Sequence, residues 1–406
     1  MPKRTAKRPD HNETRPPKLK RRRAAAAQKS ASSQQAAGRD GDASTGQGNT
    51  ASLGELRRQL DQMDSEILAA INRRATISQR LGELKRSESQ CIFDPDREAE
   101  VLRSATDKNS GPLREDSVRA IFREIVSGCR AVQSPMRVAY LGPEFTFSHL
   151  AAIEAFGQSA ELVPVGSIAA VFEEVERGQS QFGVVPMENS TDGRVSDTLE
   201  CFSRFPVRIC AGIPLRIHHC LLGVGERDQI ETVYSKPQPL SQCRNWLARH
   251  LPNANLHEVA STAEAARRAK DDPRTAAVAS AQAGVNYGLP VIVKNIEDNS
   301  DNVTRFVVIS TTTSQPTGND KTALLFEVAH KPGALADAMA IFKRNRLNMT
   351  MIDSYPVPGS LGRYLFFVEF IGHEQDLPVR KAVASLAKQA QRAELLGSYA
   401  QSQPIG

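Results

Sequence analysis

The sequence predicts a multidomain chain: an all-α helical region, then a two-lobed α/β region, then a small α+β module. Three observations carry that prediction. A long stripe of apolar residues at helical spacing begins at Ser52. At Met136 it gives way to short apolar strands alternating with Ala-rich helices. A polar Thr/Ser/Gly linker over 311–321 then precedes a last set of strands and helices. The length of 406 residues fits such a division at roughly 100–200 residues per domain.

Residues 1–50 stand apart. They hold 12 Lys and Arg against 4 Asp and Glu, and the rest of the chain holds 40 against 42, so the net charge of +6 belongs to this tail. Its basic cluster is Lys18-Leu19-Lys20-Arg21-Arg22-Arg23. With so few large apolar residues, burial could not offset the cost of ordering it, and a disordered tail over 1–50 is the expectation. Asp10 and Glu13 argue against an organelle transit peptide. The near-neutral body, with 5% aromatic residues, argues against nucleic-acid binding outside the tail. No long uncharged apolar run is present, so no spanning helix and no membrane partner are expected. No apolar stretch follows the basic start, so no signal peptide is expected. Cys91, Cys129, Cys201, Cys210, Cys220 and Cys243 form no CxxC pair and no metal-ligand spacing. Free thiols in a reducing cytoplasm, with no metal and no cofactor, are the expectation.

The helical region, 51–134, opens on Ser52-x-x-Glu55, a capping box. Leu53, Leu56, Leu60, Met63, Ile67, Ile71, Ile77, Leu81 and Leu84 follow at steps of three and four with one gap. That spacing predicts one helix of about 34 residues, about 50 Å long. A helix so long cannot bury its stripe in a small monomeric domain, so a partner helix from another subunit is expected. Shorter helices are expected over 97–106 and 114–133. The α/β region, 136–312, shows strands near 137–141, 182–186, 207–214, 219–224, 232–234 and 276–279. Helices near 167–177, 240–250 and 262–270 alternate with them. The alternation predicts an open sheet architecture in two lobes, with the ligand site at strand ends or between the lobes. In the last region, 321–400, a strand over 321–329 precedes a helix over 333–344 and strands over 349–356 and 364–371. A helix over 377–390 follows. This βαββα order fits a ferredoxin-like fold.

The long helix carries cations. Arg74 and Lys85 are 11 residues apart, which places them on one face. Arg57 lies about 26 Å further up the axis. One helix cannot bring all three to one small molecule, but a paired antiparallel helix could. Converging cations suit a dianionic substrate such as a dicarboxylate. Periodicity alone fits ordinary solvent-facing side chains better. Lone Ser, Thr and Asn residues of the α/β region equally fit turns and helix caps.

Motifs change that weighting. Leu56-Arg57, Asp64, Arg74, Gly82, Lys85 and Asp94-x-x-Arg97-Glu98 match the all-helical chorismate mutase pattern at every spacing. Gly142-Pro143-Glu144-x-Thr146-Phe147-Ser148, Pro186-x-Glu188-Asn189-Ser190 and Asn302-x-Thr304-Arg305-Phe306 resemble prephenate dehydratase. Lys331-Pro332-Gly333-Ala334-Leu335 and Asp353-Ser354-Tyr355-Pro356 are similar to the phenylalanine-sensing ACT domain, a βαββαβ-type fold. Taken in order, residues 53–400 resemble the bifunctional chorismate mutase–prephenate dehydratase family.

The resemblance implies two activities, without cofactor, metal or membrane. Chorismate would rearrange to prephenate, and prephenate would lose CO2 and water to give phenylpyruvate, under feedback by phenylalanine. Arg57 from a partner subunit, Arg74 and Arg97 would hold carboxylates. Lys85 and Gln133 would donate to the ether oxygen, Glu98 would take the ring hydroxyl, and Asp94 would support that end. In the second site Thr304 would assist hydroxyl departure, with Arg305 as carboxylate anchor and Phe306 as wall. Ser148, Glu188, Asn189, Ser190, Ser235 and Gln242 match further site positions. Gly333, Ala334, Leu335, Asp353 and Ser354 would bind the effector. A homodimer or larger assembly is implied.

Three positions depart from the family pattern. Cys129 stands where some members have Ser. Phe145 replaces the second Gly of Gly-Pro-Glu-Gly-Thr-Phe-Ser, which strains the loop by about 1–2 kcal/mol if that position needs φ > 0. Tyr355 replaces the Arg of Glu-Ser-Arg-Pro, which bears on the phenylalanine response. Two other functions compete: a monofunctional dehydratase with a dimerising helical domain, and a non-catalytic aromatic amino-acid sensor. The intact Arg57, Arg74, Lys85, Arg97 and Glu98 oppose the first, and the intact Thr304-Arg305-Phe306 opposes the second.

Overall fold

A computed structural model describes residues 52–88, 92–191, 193–357 and 363–404. The expectations for the tail and for Cys91 lie outside the described residues. The chain falls into two units, up to Gln59 and from Leu60 onward. The described part of the first unit is the start of helix α1 (Leu53–Ser87), where the Ser52 hydroxyl accepts the Glu55 amide as a cap.

In the second unit, α1 continues and is followed by α2 (Pro95–Asp107) and α3 (Glu115–Ala131). Among the described residues most of the apolar stripe of α1 is uncovered: Leu60 is 62% exposed, Ile77 66% and Leu84 60%, and Gly82 is the helix's one buried residue.

The α/β region begins with β1 (Arg137–Leu141), α4 (Phe147–Phe156), β2 (Glu161–Val165) and α5 (Ile168–Glu176). Then come β3 (Phe182–Asn189), β4 (Gly193–Arg194), α6 (Ser196–Arg204) and β5 (Arg208–Arg216). The chain crosses into a second lobe of β6 (Cys220–Leu222), β7 (Thr232–Ser235), α7 (Pro237–Gln242) and α8 (Arg244–His250). That lobe continues with β8 (Asn255–Glu258), α9 (Thr262–Arg268), β9 (Thr275–Ala279), α10 (Ala281–Tyr287) and β10 (Val291–Val293). It then returns to the first lobe as β11 (Val303–Ser310). The first sheet runs β2-β1-β3-β11-β5, and the second β10-β6-β9-β7-β8. The two crossings lie side by side, because the Ile217 amide donates to Asn302 O and the Ile296 amide to His219 O.

The last region is β12 (Asp320–Glu327), α11 (Ala334–Arg344), β13 (Met349–Pro356), β14 (Tyr364–Ile371), α12 (Leu377–Gln389) and β15 (Arg392–Ala400). Its sheet runs β13-β14-β12-β15, all antiparallel. Both faces are covered. Leu324 and Phe326 pack under α11 and α12, whereas Ala323 and Leu325 pack with Val185, Met187, Ile209 and Val307 of the first lobe. That explains why β12 is apolar at consecutive positions rather than alternating.

Several elements differ from the sequence-based expectation, and four of them have a bearing on the site or its packing. The helix expected over 240–250 is two helices, because the chain leaves helical geometry at Cys243 (φ −112, ψ 13), and the first begins at Pro237. Strand β2 carries Pro164, which a strand accepts at the sheet edge where β2 lies. Strand β15 carries Gly397 at φ 129, where a Cβ would meet Ile209 O at 2.3 Å. That close approach hides the strand from propensity reasoning. The central strand β11 carries the Asn302-x-Thr304-Arg305-Phe306 motif but is absent from the expected strands.

Candidate active site

The dehydratase-like cleft is built around β11. A β-bulge sets its geometry. Phe306 pairs with Pro186 and Arg305 with Glu188, so Met187 of β3 is the extra residue. With strict alternation Asn189 would share the face of Val185 and Met187. The bulge turns it to the other face, directly opposite Thr304.

There Asn189 Nδ2 donates to Thr304 Oγ1 at 2.7 Å and to Asn302 Oδ1 at 3.0 Å. Asn302 Nδ2 donates to Gln242 Oε1 at 3.0 Å. Gln242 comes from the second lobe, so this network ties the lobes together. His219, from the first crossing, reaches the same Gln242 oxygen through Nε2 at 2.8 Å. Thr304 is half-buried, while Asn189, Asn302, Gln242 and His219 are buried. Sequence reasoning passes over His219 and leaves Asn302 as part of a motif. His219 directly precedes an apolar strand, which offers no spacing signal.

The other predicted residues divide. Arg305 lies on the opposite face of β11 from Thr304, with Val307 and Ile309. Its guanidinium pairs with Glu369 of β14 at 2.6 Å and Glu188 at 3.5 Å, and reaches Tyr399 Oη at 3.4 Å. Glu369 is 2% exposed. Burial disfavours the charged guanidinium, but Tyr399 and Glu369 outweigh this and hold Arg305 protonated beyond its ordinary range. Burial, reinforced by Glu369, pushes the Tyr399 hydroxyl well above its usual value. Glu188 and Arg305 therefore serve the contact with the last region, and neither joins Thr304. Ser235 donates to Val278 O at 2.6 Å, and the Ser190 hydroxyl accepts the Val303 amide at 3.0 Å, so both brace backbone. Phe306 is buried in the core behind the cleft, with Val308 and Tyr140. Ser148 is buried in the first turn of α4.

Phe145 adopts φ 65, so the position does require a left-handed backbone. Its amide donates to His149 Nδ1 at 2.9 Å. Its ring stands edge-on to His149 and to Tyr287 of the second lobe, at centroid distances of 5.4 and 6.0 Å.

In the helical region α1 meets the segment that follows α3 at Gly82, where a Cβ would lie 2.7 Å from Gln133 Cβ. That brings Gln133 beside Lys85, whose Nζ donates to Ile92 O at 3.2 Å. Gln133 Oε1 is buried without a hydrogen-bond partner, and its Nε2 donates to Cys129 O at 3.4 Å. Arg74 is half-buried on the same helix, and Arg57 is exposed. Asp94 caps α2 by accepting the Arg97 amide at 3.0 Å. Arg97 pairs with Glu100 at the surface. Glu98 is engaged by Arg130 at 2.6 Å, beneath Phe93 and Phe156. Burial raises the Glu98 carboxyl above its ordinary value, with Arg130 opposing. Glu98 and Asp94 thus already hold partners in this chain.

The effector motifs also divide. Gly333 (φ 81) precedes α11, and Leu335 packs on the helix-covered side of the sheet. Asp353 faces the first lobe and pairs with Arg194 at 2.7 Å. Tyr355 donates to Leu199 O at 3.0 Å, and burial pushes its hydroxyl up to about 12. Ser354 is exposed. Among the described residues no cluster of three metal-ligating side chains and no helix long and apolar enough to cross a membrane occurs. Cys129, Cys201, Cys210, Cys220 and Cys243 are buried free thiols.

A helical domain that carries cations, a two-lobed cleft with a hydroxyl–amide network, and an antiparallel α+β sheet together define a multidomain enzyme. Family models match in the same order: chorismate mutase type II over 56–134, prephenate dehydratase over 138–314 and the ACT domain over 322–388. A bifunctional chorismate mutase/prephenate dehydratase of Stutzerimonas stutzeri is 41% identical, over 86% of this chain and 97% of that protein. Its counterpart in Aquifex aeolicus is also 41% identical over the same shares. The crystal structure of prephenate dehydratase from Arthrobacter aurescens in complex with L-Phe aligns with a TM-score of 0.62 and 31% identity. It covers 66% of this chain and 92% of that one. The chain belongs to the bifunctional chorismate mutase/prephenate dehydratase family.

Proposed function

We propose that the two reactions of the family run at separate sites of this chain, the first shared between two subunits. The chain converts chorismate to prephenate and then prephenate to phenylpyruvate. The first step is a Claisen rearrangement, which needs a compact substrate conformer and charge stabilisation on the breaking ether bond. Lys85 and Gln133 donate to that oxygen. Arg74, Arg97 and Arg57 of a second copy hold the carboxylates. A second copy is favoured by the uncovered stripe of α1, since each exposed Leu or Ile gains about 1.5–3 kcal/mol on burial.

In the second step the ring carboxylate leaves as CO2 and the ring hydroxyl as water. Aromatisation drives it, and the enzyme must assist hydroxyl departure. The observation that carries this assignment is the hydrogen bond from Asn189 to Thr304, which makes Thr304 Oγ1 an acceptor and leaves its proton for the leaving oxygen. The domains are taken as 51–134, 136–312 and 321–400, and the location as cytoplasmic. Phenylalanine acts through the last domain, whose Asp353 and Tyr355 hold the first lobe directly.

A chorismate time course with the purified chain tests this, scoring prephenate and phenylpyruvate with and without phenylalanine. Both products in sequence are expected. Prephenate that accumulates unchanged would remove the dehydratase assignment. An unaltered rate with phenylalanine would show that Tyr355 has cost the domain its effector.

A further inference from the structure

We infer that Arg130 is a positioning residue for the mutase step: it holds and aims the Glu98 carboxylate, and takes its own fixed point from the dehydratase region. This rests on the mutase reading proposed above. Chorismate carries two carboxylates and an ether oxygen, which accept, and one ring hydroxyl, which donates. An ionised carboxylate only accepts, so in that site it has the hydroxyl as its partner. Glu98 is suited to the place. Its side chain is 21% exposed, so the carboxylate stays open on one side. The Lys85 ammonium is close enough to favour its charged form.

Arg130 works in two directions. Its Nη1 donates to Glu98 Oε1 at 2.6 Å and also reaches Oε2. Its Nη2 donates to the carbonyl of Phe156, the last residue of α4 in the first lobe. That carbonyl also accepts the Ser127 hydroxyl of α3 at 2.7 Å, so it is braced from the helical side as well. The guanidinium carbon lies 5.3 Å from the Phe93 ring centre and 5.4 Å from that of Phe156, and the two rings stack at 4.5 Å. A guanidinium is a rigid planar fork. With its plane against the rings and Nη2 tied to Phe156, Nη1 has one direction left, and Glu98 lies in it. A carboxylate has about four lone-pair sites, so this contact leaves others for a substrate hydroxyl. Burial and the Asp94 charge disfavour the ionised carboxylate, and Arg130 and Lys85 oppose both.

The test is a double-mutant cycle on the full chain with Arg130→Met, Glu98→Gln and the two combined, scored as mutase kcat/KM for chorismate. Met fills the space between the rings without a charge. Arg130→Met should lower mutase kcat/KM by roughly 30-fold, the size of one lost hydrogen bond between charged groups. The double variant should lie within about threefold of Glu98→Gln alone, because Arg130 acts through Glu98. A further tenfold fall in the double variant would mark Arg130 as a packing residue and overturn the inference, and so would full mutase activity in Arg130→Met. The pH profile is a second readout. Between about pH 8 and 6 the mutase activity of Arg130→Met should fall about threefold more than that of the parent chain. There Glu98 keeps only Lys85 against burial and Asp94, and takes up a proton. Parallel profiles would overturn the inference as well. If Arg130→Met does not fold, since it leaves a buried carboxylate unpaired, the comparison of Glu98→Gln with the double variant decides alone. Glu98→Gln is also the separating control. If it keeps full mutase activity, the place of Glu98 in the mutase site fails; if it loses activity while Arg130→Met keeps it, only the role of Arg130 fails.

Discussion

Helix α1 and strand β11 each carry residues assigned above to one activity, yet they are held in opposite ways. The helix buries one residue, Gly82, and exposes its apolar stripe. The strand lies between two others and has its last five residues fully buried. The strand is positioned by its own chain, through hydrogen bonds to β3 and β5 and packing on both faces. The helix must be positioned by something outside it. On the function proposed above, the dehydratase site is a property of one subunit and the mutase site a property of an assembly.

The sharpest way to break this contrast is the double variant Leu60→Asp/Ile77→Asp. Each change puts a charge into the face that a second copy would cover, at a cost of several kcal/mol per pair. Mutase activity should fall by roughly 100-fold together with loss of the dimer on sizing, at about 1.4 kcal/mol per decade. Dehydratase activity should persist; a parallel loss of both would show that β11 also depends on the assembly. Next in size is Glu369→Gln. It leaves Arg305 in a buried setting with the more distant Glu188 carboxylate in place of the close one, for about 3 kcal/mol of stability. Denaturant unfolding would record that loss, and phenylpyruvate formation should suffer more than prephenate formation.

A smaller effect belongs to Asp96. Burial, then Asp94 and Asp320, raise its carboxyl from 3.8 to about 6. The folded state thus binds this proton more tightly than the unfolded state does. That contribution is complete below about pH 4 and is lost as pH rises through about 6. Asp96→Asn should therefore stabilise the chain at pH 7 to 8 by on the order of 1 kcal/mol, discounted for partial exposure, and not near pH 4. Thermal melts across that range check the sign. The smallest change is expected from Phe145→Gly. It removes about 1–2 kcal/mol of left-handed strain and gives up ring contacts of about the same size. A nearly unchanged melting temperature is the outcome, and a large drop would mean that the contact with Tyr287 outweighs the strain.

The same contrast governs what the sequence discloses. The apolar spacing of α1 is local, so its limits and its unburied stripe are legible from residues 53–87 alone. Strands β1, β13 and β14 likewise appear with their observed limits. The cleft is legible only in part. Thr304, Asn189 and Gln242 stand out through motifs and do converge. Glu188 and Arg305 stand in the same motifs and face away. No single-strand pattern separates them, because facing depends on a bulge in β3 and on a sheet whose first strand, β12, begins only at Asp320. His219 and Asn302 were not singled out because their partners come from three distant segments that only the double crossing brings together.

Met187 has a consequence of its own. Because it is the residue without a partner, β3 is read in one frame before it and in the opposite frame after it. Replacing Met187 by another apolar side chain leaves both frames intact. Straightening the bulge, so that Met187 pairs with Arg305, would return Asn189 to the frame of Val185, against the sheet of the last region, and bring Glu188 opposite Thr304. A one-residue slip of β3 would then exchange an amide for a carboxylate beside the Thr304 hydroxyl, with every side chain of the cleft still present in the sequence.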